Sequence, residues 1–413
     1  MNKQENITLL SDILKNSPKL TPMMEQFVEI KKQYPTTILL FRMGDFYEMF
    51  FEDAISASKI LGIALTHRGK IGDYSIPMAG IPYHAANSYI DKITSAGLKA
   101  VICEQIEDPK MAQGIVKRAV TQIVSPSIPF DIEKTENKTH YYIGACHLIE
   151  EFYFLSLVDF TTGDFLGFPK LDVGEMLNCL LNYAPKEMVC FFDQWENTPN
   201  IKEQLEKNNA LLTYISEEYF NPRYNENSIE KLIPLFKSDS MIGYNQNLLP
   251  SIAALSYYLQ STGPAENLKH IKPYRIINNS ENTKISFSTL RGLEILPRNK
   301  ENYQDSLIGF IDKTISSMGS RKLKDFFLNP MRDKVILNER YRLIDFFIKD
   351  KKTFKSLRDS FKDIRDIPRI LTKVNTHKAI PGDFINLANA LESFKFITKE
   401  FDSHTFPLLF DLK

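Results

Sequence analysis

A chain of 413 residues with 43% hydrophobic and 25% charged side chains has material for two or three separate cores, which excludes wholesale disorder. The formal net charge is zero, but residues 1–130 carry 14 Lys and Arg against 13 Asp and Glu, residues 131–250 carry 9 against 19, and residues 251–413 carry 28 against 19. A polyanion is repelled by that middle third and attracted by the last, so the middle suits a protein partner or a spacer better than a nucleic-acid surface.

The first 20 residues are polar and read as a flexible N-terminus. Thr21-Pro22 then starts a helix, an N-cap followed by proline at the first helical position, with Phe27, Val28, Ile30 and Tyr34 as its apolar stripe. Thr36–Phe41 is β-branched and apolar and predicts a buried strand, which Gly44 breaks. Asp45 suits an N-cap and Glu48 has capping-box spacing from it, so a helix is expected from there to about Leu61. On that helix Tyr47, Phe50, Phe51, Ala54, Ser58 and Leu61 share the core face, Phe46 and Met49 fall off it, and Glu48 lies on the flank opposite Phe46. His67–Gly72 reads as a basic loop, and Ile76–His84 is too punctuated by Pro and Gly for regular structure. Ala86, Tyr89, Ile90 and Ile93 mark a helix; Leu98–Ile106 and Ile115–Val124 predict strands.

Pro126–Pro129 reads as a linker. Beyond it Tyr141–Ile149 and Phe152–Phe160 predict two strands joined at Glu150-Glu151, and Thr161–Asp164 turns into a third. Helix and strand patterns then alternate through Val173–Tyr183, Met188–Phe192, Ile201–Lys207, Leu211–Ile215 and Ile229–Phe236. From about Leu248 helical spacing dominates, at Ile252–Leu259, Leu307–Ile311, Ser320–Leu328, Val335–Ile348 and Phe384–Phe396. The expected fold class is therefore multidomain: an α/β domain over 21–128, a second α/β domain over 129–247 and a mostly α-helical domain over 248–413.

Two readings of Phe46 and Glu48 stand side by side. In one, Asp45 and Glu48 cap the helix and Phe46 covers a neighbouring element. In the other, Phe46 is a wedge that enters a DNA minor groove and unstacks a base step, which costs less where pairing is already faulty. Phosphates repel Glu48 in that setting, so its carboxyl group is tolerable only if it hydrogen-bonds a displaced base. Arg68, Lys70, Lys117 and Arg118 are then candidates for phosphate contact, although isolated basic residues are commonly solvated surface.

Other chemistries fit less well. Gly62 precedes Gly69-Lys70 by seven positions where a phosphate-binding loop needs five, and Ile71 stands where Ser or Thr is required, so no ATP site is expected. The seven histidines show no metal-ligand spacing, so no metal is expected. Asp159 and Asp164 lie near strand ends and raise two-metal nuclease chemistry, but Ile143–Cys146 offers no carboxylate to join them. Cys103, Cys146, Cys179 and Cys190 have no C-x-x-C spacing and read as buried thiols. With no signal peptide or membrane-length apolar run, a soluble, cytoplasmic protein is expected.

Met43–Phe50 (MGDFYEMF), Ile76–Ala85 (IPMAGIPYHA), Val101–Gln105 and Asp108-Pro109 resemble, in order and spacing, the mismatch-recognition domain of the MutS family of bacterial DNA mismatch repair proteins. Leu290–Ile295 and Thr314–Arg321 are similar to the first half of that family's helical lever or core domain, and Pro368 departs from the glutamate usual there. The resemblance implies that Phe46 stacks on a mispaired base, that Glu48 hydrogen-bonds it, and that Met43, Arg68, Lys70, Lys117 and Arg118 contact the DNA backbone. It implies that 129–247 is a connector domain with a ribonuclease-H-like fold and no catalysis, communicating with MutL. The family's clamp and ATPase do not appear in these residues, so the chain reads as an N-terminal portion without enzymatic activity or cofactor. Full-length relatives use ATP and magnesium and form homodimers, while this portion is expected to be a monomer. Double-stranded DNA with mismatches or small loops is the expected partner. The competing expectation is an interaction module that binds MutL without engaging DNA.

Overall fold

The computed structural model describes residues 10, 20–71, 74–107, 114–134, 138–196, 198–233, 246–262, 268–277, 282–297 and 302–400. Its contacts divide the chain into two compact units. The first is residues 1–131 with 209–211 and 259–264; the second is the remainder. Most of the expected N-terminal flexible segment lies outside the described residues, as do Gly72, Asp108-Pro109 and the end of the Ile229–Phe236 helix.

The first unit is a six-stranded sheet with helices on both faces. Helix α1 (Pro22–Gln33) starts as its sequence predicts, with the Thr21 hydroxyl accepting from the Met24 N–H and Pro22 in the first turn. Strand β1 (Ile38–Met43) follows. The segment after it departs from expectation. Phe46–Phe50 is a strand, β2, paired antiparallel with β1 from Met43↔Phe46 to Phe41↔Glu48. Helix α2 begins only at Phe51 and runs to Leu61. Gly44 and Asp45 form a two-residue hairpin, with Gly44 at φ +58° where a type II′ turn wants glycine first. A hairpin this tight leaves Asp45 no helix to cap, and the aromatic-rich FYEMF run suits a strand. Glu48 is thus on the same face of β2 as Phe46, two residues on, and not on an opposite flank.

Two further expectations are corrected. Thr66–Ile71 is strand β3, not a loop, and Tyr74–Pro82 is strand β4 despite its prolines. Pro77 pairs with His67 of β3 and lies beyond the last β2 pair, Phe50↔Met78; Pro82 pairs with Phe46 and lies beyond the last β3 pair, Thr66↔Met78. Each proline stands where the ladder on one side has ended, so neither missing N–H breaks the sheet. Helix α3 (Ala86–Ser95) and strands β5 (Ala100–Gln105) and β6 (Arg118–Val124) complete the order β3-β4-β2-β1-β5-β6. Strand β1 is buried on both faces. Ile38 and Leu40 join Tyr47, Met49, Ala57, Ile90 and Ile93 under α2 and α3, while Leu39 and Phe41 join Phe27, Val28 and Phe50 under α1.

In the second unit, β7 (Tyr142–Ile149), β8 (Phe152–Asp159) and β9 (Phe165–Leu171) form an antiparallel meander, and β10 (Glu187–Cys190) adds parallel to β7. With β11 (Leu211–Tyr214) and the short β12 (Arg275–Ile276) the order is β11-β10-β7-β8-β9-β12. Helices α4 (Val173–Tyr183), α5 (Pro199–Lys207), α6 (Glu226–Leu232) and α7 (Leu249–Ser261) accompany the sheet. The rest is helical: α8 (Phe287–Gly292), α9 (Leu307–Ile311), α10 (Ser317–Leu328), α11 (Lys334–Lys349), α12 (Lys351–Phe361), α13 (Ile367–Asn375) and α14 (Pro381–Glu400). Pro368 sits in the first turn of α13, where its missing N–H costs nothing. That helix is tied to the sheet's loops: Arg369 donates to the Thr139 carbonyl at 3.1 Å and Thr372 to that of Thr161 at 3.0 Å. Arg321 makes a bidentate pair with Asp366 at 2.7 and 2.9 Å.

Candidate nucleic-acid interface

Cover along β2 falls off toward the hairpin. Phe50, Glu48 and Phe46 share the face that α1 packs on. Phe50 is sealed, its ring edge-on to Phe27 at 5.0 Å. Glu48 is half-buried, and Phe46 is 47% exposed. Tyr47 and Met49 point into the opposite core. Met49, expected off the core face, is fully buried because a strand alternates its side chains where a helix would not. Only Phe46 of this aromatic run is left without cover.

The Glu48 carboxylate is ion-paired to Arg68 of β3. Strand β4 lies between the two, so Arg68 reaches across it. Two features permit this. The β3–β4 register slips between His67 and Lys70 around Gly69, at φ +67°, a bulge that re-aims the neighbouring side chains. Gly80, the β4 residue opposite Glu48, has no side chain in the way. Glu48 and Arg68, 20 residues apart in sequence, are thereby brought together.

The other candidates differ among themselves. Lys70 and Lys117 are exposed. Met43 pairs with Phe46 across the hairpin, and its sulfur lies 3.2 Å from Arg118 Nη2. The rest of the Arg118 guanidinium is occupied inside the unit, donating to the carbonyls of Arg42 at 2.7 Å and Val116 at 2.8 Å and to Gln26 at 3.4 Å. It lies over the Phe41 ring at 4.9 Å, and burial pulls its pKa down. Arg118 works as a brace between β6 and β1.

Sequence reasoning passed over Arg42 and Tyr83. The Arg42 guanidinium donates to the Gly44 carbonyl at 2.6 Å and stacks on the Tyr83 ring at 3.8 Å, stiffening the hairpin that carries Phe46. Tyr83 N–H donates to the Asp45 carbonyl at 2.9 Å. Tyr83 falls inside the IPYHA run, but only the fold shows that this run docks on the hairpin. Below it, the Tyr47 hydroxyl donates to Glu104 of β5; burial first, and the Glu104 carboxylate second, push the phenol well above its ordinary range.

Asp159 and Asp164 of the second unit are engaged. Asp159 is fully buried, 2.8 Å from His140 Nδ1, and accepts from the Thr161 amide at 2.9 Å and hydroxyl at 2.7 Å. Asp164 pairs with Lys272 at 2.7 Å. Among the described residues no group of three or more His, Cys, Asp or Glu is arranged to hold a metal ion, and no helix is long and apolar enough to cross a membrane.

Family models described as MutS domain I and MutS domain III match residues 21–133 and 288–412, together more than half of the chain. The chain is 34% identical over 384 residues to the DNA mismatch repair protein MutS of Christiangramia forsetii, a match covering 92% of this chain and 43% of that protein. Against its namesakes in Flavobacterium psychrophilum and Thermotoga petrophila the identity is 33%, covering 91% of this chain and 43% and 45% of theirs. The chain thus spans less than half the length of the curated relatives it matches.

Proposed function

The chain belongs to the MutS family, and on that premise we propose that it senses mispaired DNA, with Phe46 as the wedge and Glu48 as the group that hydrogen-bonds the displaced base. One observation carries the reading. On a strand whose other large side chains are buried, a phenylalanine next to a tight hairpin is left 47% exposed, with a carboxylate beside it on the same face. A ring held there by a rigid hairpin loses little entropy on entering a base step, and it leaves no cavity behind when it does. A mispaired step is cheaper to unstack than a paired one, so the ring discriminates by deformability while Glu48 supplies the one polar contact.

Lys70, Lys117 and Arg68 serve as phosphate contacts in this reading, and Met43 backs the Phe46 ring. Residues 129–247 act as a ribonuclease-H-like connector, supported by the meander of β7, β8 and β9 with β10 parallel to β7. The acidic surplus of residues 131–250 favours a protein partner there, and MutL is the one we assign. Residues 248–413 form the first part of the helical lever. ATP hydrolysis and stable dimerisation belong to stretches of the relatives that this chain does not span. The site of action is bacterial DNA in the cytoplasm.

Fluorescence anisotropy with a G·T duplex and its matched control tests the reading. The chain binds the G·T duplex more tightly, and Phe46→Ala removes that preference while shifting thermal stability by less than about 0.5 kcal/mol, as an exposed side chain should. A preference that survives Phe46→Ala rules the wedge out.

A further inference from the structure

The carboxylate assigned to the base is engaged within the protein: it is paired with Arg68. Resting on the function proposed above, we propose that Arg68 is the specificity-setting partner of Glu48 and works by exchange. On a mispaired site Glu48 leaves for the base, and the released guanidinium takes a phosphate. On matched DNA no base claims Glu48, the pair stays closed, and the phosphate contact is never made.

The geometry suits a pair built to open. The Arg68 side chain is 41% exposed and that of Glu48 only 14%, so the base-facing group is the covered one and the phosphate-seeking group the accessible one. With the Arg68 end open to water, the pair is screened by solvent, so either new contact can replace it. Arg68 is carried on a bulged strand with Gly69 beside it, and not on the rigid β1–β2 hairpin, so its side chain can swing without moving Phe46. Arg118, which lies within electrostatic reach of both, has its guanidinium engaged by two carbonyls, Gln26 and Met43 and is not placed to substitute.

Exchange has a signature that a fixed Glu48–base contact lacks. One additional phosphate is neutralised in the mismatch complex only, so log affinity against log salt is steeper for the G·T duplex than for the matched one by about 0.9. Between 50 and 200 mM salt the mismatch preference therefore falls by about 3.5-fold. Anisotropy titrations of the full 413-residue chain across that range, with circular dichroism to check each variant's fold, read this directly. Wild type shows the slope difference. Arg68→Ala abolishes it because nothing is released, and Glu48→Ala abolishes it because Arg68 is free on both duplexes. Arg68→Lys keeps it, since a single charge is enough for the exchange. Parallel slopes in a wild-type chain whose mismatch preference depends on Phe46 overturn the exchange and leave the wedge standing; so does a slope difference that persists in Arg68→Ala. A wild-type chain with no mismatch preference overturns both.

Discussion

Gly80, the β4 residue paired with Glu48, leaves open the space beside both Phe46 and Glu48. A Cβ at that position would lie 3.8 Å from the Phe46 ring, 3.9 Å from Glu48 Cγ and 3.6 Å from the Tyr47 carbonyl oxygen, which is ordinary contact. Gly80 is not at positive φ, so the backbone accepts another residue. Alanine therefore fits, while a branched side chain fills the gap that Phe46 and Glu48 share and obstructs the path of Arg68. Gly80→Ala should keep the G·T preference. Gly80→Val should fold, since valine suits a strand, yet lose about 1–3 kcal/mol of discrimination, the worth of one good base contact. Paired anisotropy titrations of the two variants measure the difference. Phe46 and Glu48 were legible from the family's motif, and Arg68 was legible as a basic residue. The Glu48–Arg68 pair was not, because a bulge and a missing side chain, neither visible in local periodicity, bring the two together.

At the scale of elements, the sequence reading succeeded where one physical signal acted alone. The Thr21-Pro22 cap, the doubly buried β1 and the stripe of α3 each had a single interpretation. It failed at Asp45–Phe50, where two signals overlapped: the D-x-x-E spacing of a capping box and the aromatic richness of FYEMF, which suits a strand. The hairpin decided the outcome, since Met43 and Phe46 cannot pair across two residues unless the chain reverses at once. What locks α1 and α2 onto that hairpin is a buried ionic cluster. Lys31 of α1 donates to Asp53 of α2 at 2.7 Å and to the Thr37 carbonyl at 2.5 Å, and Asp53 accepts from the Leu39 amide at 3.0 Å. Burial pushes the Asp53 carboxyl upward, and Lys31 is the main influence pulling it back. Lys31→Met removes the compensating charge and keeps the packing, so it should cost about 3–5 kcal/mol at neutral pH. The sign of its pH dependence follows. A carboxyl whose folded pKa stands above the unfolded value gives up stability as pH rises through the folded value and regains it as pH falls toward about 4. The penalty of Lys31→Met should therefore shrink from pH 7 to pH 5, and Lys31→Met/Asp53→Asn should recover much of it at both, as followed by urea denaturation.

For the whole molecule, division into two units with separate cores means that stability is not one number. Contacts assign residues 259–264 to the first unit, where the Ile123 amide donates to the Thr262 carbonyl at 3.3 Å, so this unit is not a simple N-terminal stretch. No local pattern announced that return; it is a property of tertiary contacts, not of periodicity. The second unit has its own buried charge centre at Asp159. Burial pushes that carboxyl up, but the His140 ring and both donors of Thr161 outweigh it and hold it well below the usual carboxylate range. A depressed carboxyl contributes stability that is complete above about pH 4 and lost as pH falls through its folded value, so at neutral pH the contribution is whole. His140→Ala leaves a buried carboxylate with Thr161 as its hydrogen-bond donor and only the more distant charges of Arg321 and Arg369, and should cost about 3–5 kcal/mol. Calorimetry at pH 7 should therefore fit two transitions and not one. Lys31→Met should lower only the transition of the first unit, and His140→Ala only that of the second, each by about 10 °C. Should either variant move both transitions equally, the two cores melt as one, and the β1–β2 hairpin shares its stability with the helical segments of the second unit.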